Sequence, residues 1–372
     1  VSTNRLLCLP CQREGDRGTR WRDSRHIKPI NICIEGHFKL LNPPTTIVVR
    51  PPFDKGGKGT GRVLKHQFIG KVTQKEKNMN YICNACPRMC GAKRPNGYCR
   101  APEEFLVSRA ALHMFEEPPI SGTRGSGTVF FGGCNLGCVF CQNKAISRGG
   151  VGKLYDAAGL EKIMLSLVEQ GAHNINLVTP SHYFLQLAPV LERVKPRLGV
   201  PVVCNCGGYE SAEALKALEG LVDIYLPDFK YFSPELSARY SHAPDYFEVA
   251  KKAISEMHRQ QPKPVYGEDG MLIKGLVVRH MVLPTCRKDS LRLLGELAEM
   301  LPRKSFLLSL MSQYTPEFCD SEKYPELGRR LTGFEYDSVS KRAAELGFEG
   351  FFQARSSANA KYTPDFPETT SL

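Results

Sequence analysis

From about residue 127 onward, short apolar runs alternate with longer stretches in which apolar residues return every three or four positions. Val129-Phe130-Phe131, Asn174 to Val178, Pro201 to Val203, Val222 to Leu226, Leu276 to Leu283 and Phe306 to Leu310 read as strands. Between them Leu160, Ile163, Met164 and Leu167 recur at helical spacing before Gly171, and Ser181 is a candidate N-cap for the next helix. Glu210 to Glu219 reads as a helix stopped by Gly220, and Ser233-Pro234 opens another with proline in its favoured first position. Phe247, Ala250, Ile254 and Met257 mark an amphipathic helix before Pro262, and Leu291 to Met300 and Ser338 to Leu346 complete the series. Six or so β-α units with short connections predict an α/β fold in which right-handed crossovers curve a parallel sheet into a partial (β/α)6 TIM-like barrel.

The pattern is different upstream. Residues 1–78 mix Arg-rich patches, Pro43-Pro44, Pro51-Pro52 and a Gly/Lys stretch, with neither period sustained, which predicts a largely disordered basic extension. Met79 stands just before the first organised stretch, so 1–78 is expected to be dispensable. Residues 79–126 read as a small Cys-rich segment followed by a connector from Arg100 that contains Pro118-Pro119, and 127–372 as the barrel.

Charge changes this picture little. The net +12 suggests nucleic acid or an anionic membrane, but 16 of the 50 Lys+Arg and only 6 of the 38 Asp+Glu lie in residues 1–78. The rest of the chain is left nearly neutral, 34 against 32, and the expectation is no nucleic-acid partner. No run approaches the roughly 18 apolar residues of a membrane span. Fourteen cysteines without a secretory leader at Val1 to Gln12 point to a reducing cytoplasm rather than to disulfides.

The cysteines carry the candidate chemistry. Gly127 to Asn143 places Cys134, Cys138 and Cys141 at C-x3-C-x2-C in a Gly-rich loop after an apolar run. Structural zinc and ferredoxin-type clusters use four protein ligands, so three local thiolates suggest a 4Fe-4S cluster with one iron left for a non-protein ligand. Upstream, Cys83, Cys86, Cys90 and Cys99 follow C-x2-C-x3-C-x8-C with Pro87, Gly91 and Gly97 as turns, a complete set for either zinc or an auxiliary iron-sulfur cluster. Cys8-Leu-Pro-Cys11 has no second pair beside it except lone Cys33 and reads as no site.

The 127–143 stretch resembles the signature of the radical S-adenosylmethionine (SAM) superfamily, C-x3-C-x-aromatic-C, with Phe140 at the aromatic position. Over about Tyr81 to Phe366 the chain resembles the pyruvate formate-lyase activating enzyme branch, and more closely its relatives with an N-terminal cysteine cluster. That resemblance runs through Cys86-Pro-Arg-Met-Cys90-Gly, Cys141-Gln-Asn, Asn174-Ile-Asn-Leu-Val-Thr-Pro180, Tyr225-Leu-Pro-Asp-Phe-Lys230 and Gln313-Tyr-Thr-Pro316. It implies that the open iron chelates SAM and that reduction by a donor such as flavodoxin or ferredoxin yields a 5′-deoxyadenosyl radical that abstracts hydrogen. Its substrate would be a glycyl residue of a partner protein, or else a small molecule or peptide. A rival of another class is a non-catalytic zinc or iron-sulfur scaffold, which predicts no SAM turnover.

In barrels of this kind the chemistry sits at the carboxyl ends of the strands. Asp228 and Lys230, two apart at a strand end, share one face, and with Arg279 and Asn205 they are candidates for the ribose hydroxyls and carboxylate of SAM. The same residues also suit a structural ion-pair network. Where activating enzymes carry Gly-Gly-Glu after the second strand this chain has Thr179-Pro180-Ser181, which leaves the SAM amino group to backbone carbonyls or Ser181. His182 and His280 read as structural histidines, and Cys204 and Cys206 as small buried groups.

Overall fold

The structure is a computed structural model and describes residues 7–9 and 83–353. The expectations for the basic extension, Cys11, Cys33 and Met79 lie outside the described residues. The elements in chain order begin with β1 (Leu7–Leu9), β2 (Phe105–His113), α1 (Pro118–Ser121), β3 (Ser126–Phe131), α2 (Lys144–Gly149) and β4 (Lys153–Tyr155). There follow α3 (Ala157–Glu169), β5 (Ile175–Val178), α4 (Phe184–Leu198), β6 (Val202–Cys206), α5 (Ala212–Lys216), β7 (Ile224–Pro227), α6 (Pro234–Ser241) and α7 (Tyr246–Gln260). The last are β8 (Val265–Tyr266), β9 (Leu272–Met281), α8 (Arg287–Met300), β10 (Leu307–Met311), α9 (Gly333–Glu345) and β11 (Gly350–Gln353).

One sheet takes the order β1-β11-β10-β9-β7-β6-β5-β3-β2-β4, with β8 added beside β9. All neighbours from β3 through β11 to β1 are parallel, whereas β2 pairs antiparallel with β3 and β4, and β8 with β9. This is a partial TIM-like barrel whose parallel run extends past six units through β11 and β1. Local chemistry explains several helix starts. Asp156 caps α3 by accepting from Gly159 N–H, Ser233 caps α6 with Pro234 behind it, and Thr332 with Glu335 forms a capping box on α9. Ser181 does not cap α4, because its hydroxyl donates to Glu210 instead, 2.8 Å away.

Strand alternation divides the core in two. Val129, Leu177, Cys204, Tyr225 and Leu276 lie in register across neighbouring strands and pack outward on helix residues such as Leu160, Leu191, Leu215, Ile254 and Leu293. The opposite parity, Val203, Ile224, Leu226, Val277, Leu307 and Phe351, forms a separate inner cluster around Ile120. Ile120 belongs to α1, so the short helix fills the lower part of the concave side, and burying its side chain contributes roughly 1.5–3 kcal/mol. Pro118-Pro119 read as part of a connector in the sequence, yet proline suits the first turn of a helix, where its missing N–H costs nothing. Phe105–His113, also read as connector, is a nine-residue strand.

Candidate active site at the barrel mouth

The inward residues just above the Ile120 cluster are polar. Continuing the same parity, β6 supplies Asn205, β7 is followed by Asp228, β9 supplies Arg279, β10 Ser309 and β11 Gln353. Together with Phe130, Phe140, Cys138, Cys141, Lys230, Met281 and Glu117 these residues line a cavity of about 290 Å³. The alternation that buries apolar residues lower down thus delivers polar side chains at the carboxyl ends of the strands.

The candidate SAM-contacting residues meet there as one network. Lys230 Nζ donates to Asp228 Oδ2 at 2.5 Å, Arg279 Nη2 lies 3.0 Å from Asp228 Oδ1, and it donates to Asn205 Oδ1 at 2.6 Å. Burial alone would push the Asp228 carboxyl up, but Arg279 and Lys230 outweigh it and hold it below the usual carboxylate range. Burial works against the charge on Lys230 as well, and Asp228 more than reverses it. Gly208, at φ 82°, is required beneath this network, since a Cβ there would stand 1.9 Å from the Asp228 carbonyl oxygen.

Two carboxylates escaped the sequence reading. Glu116 accepts from Asn176 Nδ2 at 3.0 Å and Asn205 Nδ2 at 3.3 Å and faces Arg279 at 3.7 Å. Glu117 follows it into the cavity. Both come from the segment read as connector, and the signal for them was two adjacent acids beside prolines at a helix start. Burial raises the pKa of each, with Arg279 opposing. Three buried side-chain atoms here have no partner: Glu117 Oε2, Asn176 Oδ1 and Arg279 Nε.

Cys134, Cys138 and Cys141 lie together on the loop after β3 and line a second cavity of about 240 Å³ with Lys144, Ser147, Arg148, His242 and Lys323. Leu136 N–H donates to Cys134 Sγ at 3.4 Å, Ser241 Oγ lies 2.9 Å from Cys138 Sγ, and Ser147 Oγ lies 3.6 Å from Cys141 Sγ. Burial, and after it the two neighbouring thiols, push Cys134 up to about 12. Donors to sulfur, adjacent cations and a cavity touching all three thiols fit an iron-sulfur cluster. Cys138 and Cys141 line both cavities, so a cluster held there would border the polar pocket. Phe140 is buried and meets the Tyr314 ring edge-on at 6.0 Å.

Cys83, Cys86, Cys90 and Cys99 are also gathered, close enough for their charges to act on one another. Cys86 is pushed up to about 11, chiefly by burial. Among the described residues no three His, Cys, Asp or Glu side chains close on a point that could hold a single ion. The two cysteine sets touch through one hydrogen bond, Cys134 N–H to the Cys99 carbonyl at 3.2 Å. Gly133, at φ 84°, makes it possible, because a Cβ there would lie 2.6 Å from that oxygen. His182 and His280 are buried, each with a ring nitrogen on a backbone carbonyl, as structural histidines are. Cys204 and Cys206 are buried in the outer core. Among the described residues no helix is long and apolar enough to cross a membrane.

The chain is 29% identical over 334 residues to an uncharacterized protein of Methanocaldococcus jannaschii, covering 85% of this chain and 87% of that one. Streptococcus suis SuiB, solved bound to its precursor peptide SuiA, superposes with a TM-score of 0.42 at 11% identity over 63% of this chain. MenC of Desulfotalea psychrophila gives 0.29 at 13% identity over 56% of this chain. The chain spans about half the length of these solved structures, 51% and 48%. Residues 128–274, from β3 into β9, match the family model of the Radical SAM superfamily.

Proposed function

We propose that the protein is a radical SAM enzyme that abstracts a hydrogen atom from a substrate held in the barrel mouth. One observation carries the reading: of three clustered thiols, two, Cys138 and Cys141, line the pocket whose walls carry Asn205, Asp228, Lys230 and Arg279. Cys134, Cys138 and Cys141 would hold three irons of a 4Fe-4S cluster. When both are bound, the reduced cluster would supply one electron to the sulfonium of SAM, whose C–S bond would break to methionine and a 5′-deoxyadenosyl radical.

The chain's own residues position and shield. Asp228, kept ionised by its two cations, accepts from ribose hydroxyls, and Lys230 and Arg279 receive a carboxylate. Ser181 donates to Glu210 and keeps lone pairs to accept, so it stays a candidate for the SAM amino group beside Glu116 and the backbone carbonyls. Phe140 and Tyr314 close the side of the cysteine loop against water. Lys144 and Lys323, exposed beside the thiols, suit an acidic electron donor of the flavodoxin or ferredoxin kind. The activating-enzyme role gains nothing from the relatives found, and a small molecule or peptide fits the buried cavity at least as well as a glycyl partner. The Cys83–Cys99 set remains a second metal site, zinc or iron-sulfur.

The test is anaerobic reconstitution with iron and sulfide followed by SAM and dithionite. Formation of 5′-deoxyadenosine is expected. A protein that takes up zinc alone, or iron without SAM cleavage, refutes the proposal in favour of a scaffold.

A further inference from the structure

Glu117 stands apart from the rest of the mouth. It is only 7% exposed and lines the cavity, and its Oε2 has no partner, although the Ser309 hydroxyl of β10 is within hydrogen-bonding reach of the carboxylate. Its neighbour Glu116 is fully engaged by Asn176, Asn205 and Arg279. A buried acceptor left unpaired costs about 1–3 kcal/mol, so its persistence points to a donor that arrives with a ligand.

The surroundings define that donor. Glu116, Glu117 and Asp228 bring three carboxyl groups to the cavity against the two cationic side chains of Lys230 and Arg279, so acidic groups outnumber basic ones. His113 adds no positive charge, because burial and then Arg109 lower its pKa to about 4. Phe130, Met281, Leu283 and Met311 give apolar walls suited to an aliphatic stem. The SAM-contacting candidates lie on or just after β6, β7 and β9, whereas Glu117 reaches toward β10.

We propose that Glu117 is the substrate-recognition carboxylate of this cavity and takes an aliphatic ammonium group. The proposal rests on the radical SAM reading for the reaction that follows, but not for the recognition itself. An ammonium has two sources here, the substrate and the amino group of SAM, and the test separates them.

The experiment titrates n-butylammonium into reconstituted, unreduced full-length protein by calorimetry, with n-butanol as the neutral isostere, in the presence and absence of saturating SAM. Wild type is expected to bind the ammonium at least about tenfold more tightly than the alcohol, with SAM present or absent, and Glu117→Gln to remove that preference while Glu117→Asp keeps part of it. Equal binding of the two probes by wild type overturns the proposal without any variant having to fold. Undiminished preference in Glu117→Gln also overturns it, and displacement of the amine by SAM reassigns Glu117 to the cosubstrate. A protein that passes these tests but never cleaves SAM on reduction refutes the reaction and leaves the subsite standing.

Discussion

The barrel mouth and the segment 83–102 are both polar and adjacent, yet they treat their polar atoms in opposite ways. At the mouth, Glu117 Oε2, Asn176 Oδ1 and Arg279 Nε are buried without partners, and Glu210 Oε2 nearby is another. In the segment, Arg88 donates to the Asn135 and His242 carbonyls at 2.8 and 2.5 Å while its guanidinium lies 4.0 Å over the Tyr98 ring. Arg94 donates to the carbonyls of Pro102 and His182. Among the described residues, none of 83–102 holds a buried unpartnered side-chain atom. The first region is arranged to receive a guest and the second to grip its host. The contrast separates what the two should do when altered.

The largest effect should come from the cysteine loop that borders the mouth. Cys138→Ala is expected to bring 5′-deoxyadenosine formation down to background and to lower the iron content after reconstitution. An unchanged iron count would mean that the thiol is no ligand and would erase the distinction.

Arg279→Met strands Asp228 and Glu116 beside a methionine. Removing one partner of a buried charge pair costs about 3–5 kcal/mol, so urea titration should show a loss of that order together with weakened SAM binding. A stability loss with SAM affinity intact would class the mouth network with the segment as mere fastening.

Glu210→Gln tests the mouth through pH. Burial raises the Glu210 carboxyl to about 7. The folded state then holds a proton the unfolded state has released, so stability falls as pH rises from the ordinary glutamate value through about 7. Gln removes that dependence and should stabilise at pH 8 by on the order of 3 kcal/mol while changing little at pH 4, read from the two thermal midpoints. A wild-type stability that is flat over this window overturns the assignment.

Arg88→Ala, in the gripping region, should cost about 2 kcal/mol from lost carbonyl bonds and the ring contact, and should leave SAM binding within a factor of two or so. A large loss of SAM binding instead would join the two regions into one device.

How much of this was legible follows from the kind of signal each element leaves. Six of the parallel strands, β3, β5, β6, β7, β9 and β10, are short apolar runs flanked by helical periodicity and could be read directly, whereas β11 and β1 could not. The cysteine tripod is local in sequence, so its gathering needed no long-range knowledge. β2 escaped because Phe105–His113 carries serine, arginine and histidine through an antiparallel strand at the edge of the parallel run. Glu116 and Glu117 escaped because their role comes from Ile120, about one turn of chain later, seating α1 among residues from β6 to β11, a contact no local pattern encodes. Ser181 looked like a cap by type, and only the return of Glu210 to the same place shows why its hydroxyl turns away.

The backbone hydrogen bond from Cys134 to Cys99 has a consequence for damage. With a glycine-sized gap on one side and a single amide on the other, no cushioning layer lies between the outer and inner sulfur groups. Oxidation that unseats the outer loop is therefore transmitted straight to the place where electrons would be consumed, and the surface-facing Cys90 stands first in line to meet an oxidant.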